Sequence, residues 1–139
     1  MGELPFYNED IDTNDVPEAV QALRGAASAA NGALVVTPEY NGTIPGVLKN
    51  AIDWLSRPYG DGALKGKPLA VIGASLGRYG GAWAHAETRK SFGVAGARAV
   101  DDLDFSLPTK SLNGAHPRDS ETVVAEVRKV LEGLVGAVG

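Results

Sequence analysis

Ala33-Leu34-Val35-Val36-Thr37 and Pro68-Leu69-Ala70-Val71-Ile72-Gly73-Ala74 decide the fold. Both are short, unbroken apolar runs with β-branched residues, the pattern of strands covered on both faces in a parallel sheet. Each leads into a loop and then into a helical pattern. After the first run come Pro38 to Gly42 and a helix near Pro45–Ser56, in which Val47, Leu48, Ala51, Ile52 and Leu55 recur at helical spacing and Pro58 closes the element. After the second run comes the glycine-rich turn Ser75 to Gly81, opening a helix from Ala82 to about Phe92. Upstream, Asp15 reads as the N-cap of a helix with Pro17 in its first turn and Glu18 at its positive dipole end. Alanines carry that helix to the stop pair Asn31-Gly32.

Downstream the pattern predicts a short third strand at Arg98-Ala99-Val100 and an irregular polar stretch from Asp101 to Pro117. Asp119 or Ser120 then caps a final helix with Val123, Val127, Val130, Leu131, Leu134 and Val138 on its apolar stripe. Helices alternating with short apolar strands specify an open α/β fold with a parallel sheet and helices on both faces. Ligands bind such sheets outside the carboxyl ends of the strands. The loops Pro38–Gly42 and Ser75–Gly81 both leave a strand's carboxyl end, so they belong on one rim.

The 139 residues make one domain, 1–139. A net charge of −4, from 13 Lys+Arg against 17 Asp+Glu, gives no pull toward phosphate backbones, so no nucleic-acid partner is expected. There is no cysteine, which removes disulfides, thiolate nucleophiles and Cys-based metal sites, and two histidines are too few for a His-rich metal centre. Without a basic-then-apolar leader or a membrane-length apolar run, the chain reads as a soluble cytoplasmic protein with no membrane partner. The 18 glycines call for a reason.

Two segments carry candidate chemistry. In Thr37 to Gly46, Pro38 fixes a dihedral, Gly42 and Gly46 permit unusual ones, and Tyr40 offers a flat face, so the loop can present backbone groups to a planar heterocycle. An ordinary strand-to-helix loop uses the same Asn and Gly for turn chemistry. Gly73 to Gly81 is small enough for a ligand to approach its backbone, and the helix N-terminus behind it favours negative charge. It has no Walker ending. It also fits Gly-x-Ser-x-Gly (Gly73, Ser75, Gly77), a hydrolase nucleophile elbow, with Asp101, Asp102 or Asp104 and then His116 in the order of a triad. His85, between two alanines, reads as a surface or partner-contact residue. Lys49, Asp53 and Arg57 form a solvated i, i+4 face, and Trp54 beside them reads as buried against another subunit.

Taken together, Thr37 to Arg57, Gly66-Lys67-Pro68 with its strand, Ser75-x-Gly77, Gly80-Gly81, Arg89, Gly96-Ala97, Leu4-Pro5-Phe6-Tyr7-Asn8 and Asp12 resemble the NADPH-dependent FMN reductase family of flavodoxin-like proteins. That family includes quinone, azo-dye and chromate reductases. The resemblance implies FMN as cofactor, with NADPH or NADH as co-substrate and a small-molecule electron acceptor such as free flavin, a quinone, an azo compound or a metal oxyanion. It implies that Pro38, Glu39, Tyr40 and Asn41 line the flavin ring. Ser75, Gly77, Arg78, Gly80 and Gly81 would form the opposite flavin-side loop. The flavin carries the hydride chemistry, so no catalytic side chain is expected. Self-association as a dimer or tetramer is implied through the Lys49–Arg57 helix.

The family pattern opens with an apolar strand and a phosphate-gripping loop that this sequence lacks. The expectation is therefore a flavodoxin-like open sheet, N-terminally truncated, with Ala33–Thr37 left as an exposed apolar edge. Two other readings stand beside it: a non-catalytic remnant or interaction domain, and a serine hydrolase using Ser75.

Overall fold

The computed structural model describes residues 1–138. In chain order the main elements are α1 (Glu18–Ala29), β1 (Ala33–Val36), α2 (Gly46–Leu55), β2 (Pro68–Ser75), α3 (Ala82–Val94), β3 (Arg98–Pro108) and α4 (Glu121–Gly136). The three strands form one parallel sheet in the order β1-β2-β3.

Both faces of β2 are covered, which is why its sequence has no polar alternation. Leu69 and Val71 point to one face, where Leu48, Ile52 and Leu55 of α2, Leu64, Phe92 of α3 and Ala97 close over them. Leu23 and Ala27 of α1 pack against that cluster. Ala70 and Ile72 point to the other face, against Val130 and Leu134 of α4 with Leu34, Leu103 and Phe105. Leu69 and Val71 are wholly removed from water, and each such side chain contributes about 1.5–3 kcal/mol of burial free energy. Helices thus lie on both faces of an open α/β sheet.

Three details differ from the sequence expectation. α1 is capped by Pro17 and not by Asp15. Proline's φ of −51° suits the boundary, and its carbonyl accepts the N–H of Val20 and Gln21. The third strand runs on to Pro108, far past Val100. Its acidic run concealed it: Asp101, Asp102 and Asp104 are exposed on an edge strand, where charge discourages further pairing. The register also shifts, from Leu69 opposite Ala99 to Val71 opposite Asp104, so no simple alternation marks the strand. On α4, Ser120 is the cap and accepts the Val123 N–H, while Leu131 is 42% exposed and leaves the apolar stripe.

A further correction concerns Trp54, which is buried within its own chain. Its indole N–H donates to the Pro5 carbonyl at 2.8 Å, and the Tyr7 ring meets it edge-on with centroids 4.9 Å apart. Asn50 clasps the same segment, accepting the Tyr7 N–H at 2.8 Å and donating to the Pro5 carbonyl at 2.9 Å. Arg24 completes the arrangement. Its guanidinium makes two hydrogen bonds to Asp12, at 2.7 and 2.9 Å, and lies 5.4 Å from the Trp54 ring. Residues 5–12 thereby fill the place that the sequence reading gave to a second subunit.

β1 is an edge strand, paired with β2 alone, and Val36 is 67% exposed. The apolar edge expected at Ala33–Thr37 is present, although Thr37 itself is buried.

Candidate functional site

The carboxyl ends of β1 and β2 bring the two candidate loops together. After β1, Tyr40 and Thr43 exchange both backbone hydrogen bonds, at 3.0 and 3.1 Å, across Asn41 and Gly42. Both central residues have positive φ, 54° and 76°, the conformation of a type I′ turn, which Asn-Gly adopts most readily. The turn holds Tyr40 out from the rim, 60% exposed. Pro38 and Asn41 are exposed beside it.

After β2, the Gly77 N–H donates to Ser75 Oγ at 3.1 Å and the Gly80 N–H donates to the Gly77 carbonyl at 3.1 Å, folding the chain back. Gly80 (φ 62°) lies so close to the end of β3 that a Cβ would come within 2.6 Å of the Leu107 carbonyl carbon. Gly80 and Gly81 are buried, whereas Leu76, Gly77, Arg78 and Tyr79 form an exposed lip. The Arg78 guanidinium stands 5.4 Å from the Tyr79 ring centre, and Tyr79 lies 5.6 Å from Trp83.

Glu39 ties the loops together. Its Oε2 accepts the backbone N–H of Trp83 at 3.1 Å and of Ala84 at 3.2 Å. α3 has Gly81 at its cap position and no side-chain cap of its own, so Glu39 supplies the anion that a helix N-terminus favours. The sequence reading left that charge to a ligand. The helix end is instead satisfied from within the chain.

Two residues of the site escaped the sequence reading. Trp83, 57% exposed, packs its ring against the Asn41-Gly42 turn, where a Cβ on Gly42 would meet it at 3.4 Å. An aromatic residue in the first turn after Gly80-Gly81 was the available signal. His85 is not on the surface. It is fully buried beneath the rim, with Nδ1 2.7 Å from Ser106 Oγ and, among the described residues, no hydrogen-bond partner for Nε2. Burial holds its pKa below the ordinary value, and Arg89 pushes the same way, against the Thr37 carbonyl, Asp104 and Glu39.

The hydrolase constellation does not assemble. Ser75 ends β2 with a negative φ and not the strained turn of a nucleophile elbow, and its Oγ is occupied by the Gly77 N–H. His116 is exposed and accepts the Arg118 N–H with Nδ1. No hydrogen bond joins it to Ser75 among the described residues.

The rim suits a flat heteroaromatic ring. The N–H groups of Asn41, Gly42, Arg78 and Tyr79 find no acceptor among the described residues, and the aromatic faces of Tyr40, Tyr79 and Trp83 stand around them. Unmatched backbone donors beside flat apolar faces are what the edge and face of a flavin ring require.

A model of the NADPH-dependent FMN reductase family matches residues 1–111. The chain belongs to this family. Among its relatives is a quinone reductase of Pseudomonas putida, 48% identical over 137 residues, covering 97% of this chain and 71% of that one. Another is a 2-hydroxy-1,4-benzoquinone reductase of a Burkholderia species, 49% identical over 89 residues, covering 64% of this chain. The chain spans 48% of that relative's length, about half. A similar solved structure is FerB of Paracoccus denitrificans, a flavoenzyme NAD(P)H:(acceptor) oxidoreductase, with a TM-score of 0.84 and 32% identity over 99% of this chain and 76% of that one. As a member of the FMN reductase family the chain has a flavodoxin-like fold, and its rim loops fall within the matched residues.

Proposed function

We propose that the chain acts as an FMN-dependent NAD(P)H oxidoreductase that passes a hydride from NAD(P)H through bound FMN to a small acceptor. A quinone is the acceptor its relatives' names favour; free flavin, an azo compound or chromate are the others. Bound FMN would supply the hydride-accepting and hydride-donating chemistry. The residues of this chain position and shield it. Pro38, Tyr40 and Asn41 would border the ring on one side, with Glu39 holding their loop through α3. Ser75, Gly77 and Arg78 would border it on the other, with Gly80 and Gly81 shaping the turn beneath. A quinone taking one hydride and one solvent proton leaves as the hydroquinone, so no side-chain acid is required.

The observation that carries this reading is the Glu39 bridge, which sets two loops with unmatched N–H groups and exposed aromatic faces side by side. Because Glu39 already occupies the α3 N-terminus, Arg78 is the basic group at the lip that can face an anionic part of a ligand.

We assign self-association to the outward side of α2. Asn50 and Trp54 are committed to residues 5–7, which leaves Val47, Lys49 and Asp53, together with a groove of about 420 Å³ lined by Ile52, Tyr59 and Val94. Among the described residues no helix is long and apolar enough to cross a membrane. A cytoplasmic location, where NAD(P)H is held reduced, fits the reaction.

The two tryptophans make the test direct, because Trp54 is buried away from the rim and Trp83 stands on it. Titrating FMN into the purified chain should quench the Trp83 emission, and a Trp83→Phe variant should lose the quenching. NADPH oxidation should then depend on added quinone. A chain that binds no FMN at any concentration tried would overturn the reading and leave the non-catalytic one.

A further inference from the structure

His85 sits at the rim beside Gly73 of β2, Ser106 of β3 and Thr37, which follows β1. Its backbone N–H donates to the Gly81 carbonyl at 3.0 Å, in the first turn of α3, and this directs the ring under the loops. Nδ1 pairs with Ser106 of β3, which stands opposite Gly73 of β2. A Cβ on Gly73 would lie 2.7 Å from Nε2 and 2.0 Å from the Thr37 carbonyl oxygen, so Nε2 and the end of β1 crowd the same spot. A Cβ on Gly81 would lie 3.1 Å from Nε2. One imidazole therefore fills the space between β1, β2, β3 and the turn that opens α3.

We propose that His85 is a positioning residue for the flavin rim: as a neutral ring it holds the two loops at their spacing, and its protonation spreads them and releases FMN. The inference rests on the FMN-binding reading above. The geometry gives the neutral ring a consistent arrangement, with Nε2–H turned toward the Thr37 carbonyl and Nδ1 accepting from the Ser106 hydroxyl. A second proton changes that arrangement. It would have to sit on Nδ1, forcing Ser106 to give up its role as donor, and the new charge would be fully buried.

The facing charges oppose one another: Arg89 of α3 disfavours the cation, whereas Asp104 of β3 and Glu39 favour it, and burial outweighs both. On α3 itself the neighbouring charge is Arg89, which repels it and is paired with Asp104 of β3 at 3.3 Å. From the β1 side Glu39 faces it, but its carboxylate is engaged by two α3 N–H groups. Thr37, just past β1, and Gly73 of β2, which border the ring, carry no titratable group. A buried cation is relieved by letting water in, and the route lies between the loops.

The sign follows from linkage. Burial lowers the pKa of the closed state below 6.5, so the open state takes the proton first as the pH falls through that value. Closure, and FMN affinity with it, is complete above about 6.5 and is lost below it, by at most about tenfold per pH unit for one proton.

The test is the FMN dissociation constant, followed by flavin fluorescence from pH 7.5 to 5, for the native chain and for His85→Gln. Glutamine keeps a donor and an acceptor but does not titrate. The native chain should lose affinity below pH 6.5, and the variant should bind with a nearly flat profile. Equal pH slopes in the two proteins would overturn the assignment. In the absence of FMN, the backbone amides of Thr37, Gly73 and Gly81 should titrate with the His85 Cε1–H resonance in NMR spectra. That measurement decides the matter if the variant does not fold, since amides that stay silent while His85 titrates overturn the assignment. If the native chain binds no FMN at any pH, the proposed function fails first and this inference with it.

Discussion

Glu39 and Trp83 lie 44 residues apart in sequence, and a hydrogen bond of 3.1 Å from the Trp83 N–H to the Glu39 carboxylate joins them. The bond makes the first loop the cap of the helix that follows the second. Glu39→Ala removes the cap and the charge on the helix dipole together, a loss of about 1 kcal/mol. Urea denaturation should show that loss, and FMN should bind more weakly because the loops are no longer held side by side. Unchanged stability and affinity would mean that the bridge is idle.

Gly73 tolerates no side chain. A methyl group there would press on the Thr37 carbonyl and on His85 Nε2 from the outset. Gly73→Ala is expected to cost about 1–3 kcal/mol, the range for overpacking a tight interior. The strain falls at the rim, so FMN affinity should fall further than the denaturation midpoint suggests. Gly46→Ala, where a Cβ meets nothing within 4 Å, serves as the control.

Asn50 satisfies two backbone groups of the N-terminal segment at once. Asn50→Leu strands the Tyr7 N–H and is expected to cost about 1–3 kcal/mol, the penalty for an unpaired buried polar group. Limited proteolysis should then cut within residues 1–12 before the rest of the chain. FMN binding should change little, because the clasp lies away from the rim.

Asp12 gives the acid limb of the stability curve. Two hydrogen bonds from Arg24 hold its carboxyl below the ordinary value of 3.8, against the opposing effect of burial. The folded chain therefore keeps this carboxylate charged at a pH where the unfolded chain has begun to take up a proton. The stabilisation is complete above the unfolded value and is lost as the pH falls through the lower, folded one. Asp12→Asn should flatten thermal stability in that window and lower it at neutral pH. A native acid limb in the variant would assign the effect to other groups.

β1 and β2 were legible because both pack side chains on each face of the sheet and carry little besides apolar residues. β3 was legible only at Arg98–Val100, since its later residues trade hydrophobicity for the acidic edge that keeps it unpaired. The rim followed from topology, as both loops leave strand ends. What each loop residue does there was harder to read. Glu39 stood in a familiar segment, yet its partners lie 44 and 45 positions away. Trp54 was recognised as a residue needing burial, but nothing local revealed that Pro5 and Tyr7 provide it. α3 hid His85 because it buries Ala84, His85, Thr88 and Phe92, a mixed stripe that gives little apolar periodicity.

The two flanks of the sheet differ, and the difference gives it a direction of growth. On the β3 side an incoming strand meets a fence of exposed aspartates. On the β1 side it meets Leu34 and Val36 with their outward backbone groups unmatched. Lateral extension is therefore favoured on the β1 flank. A polypeptide that adds to this sheet, from the same chain or another, enters most readily beside β1, next to the loop that carries Glu39 and Tyr40.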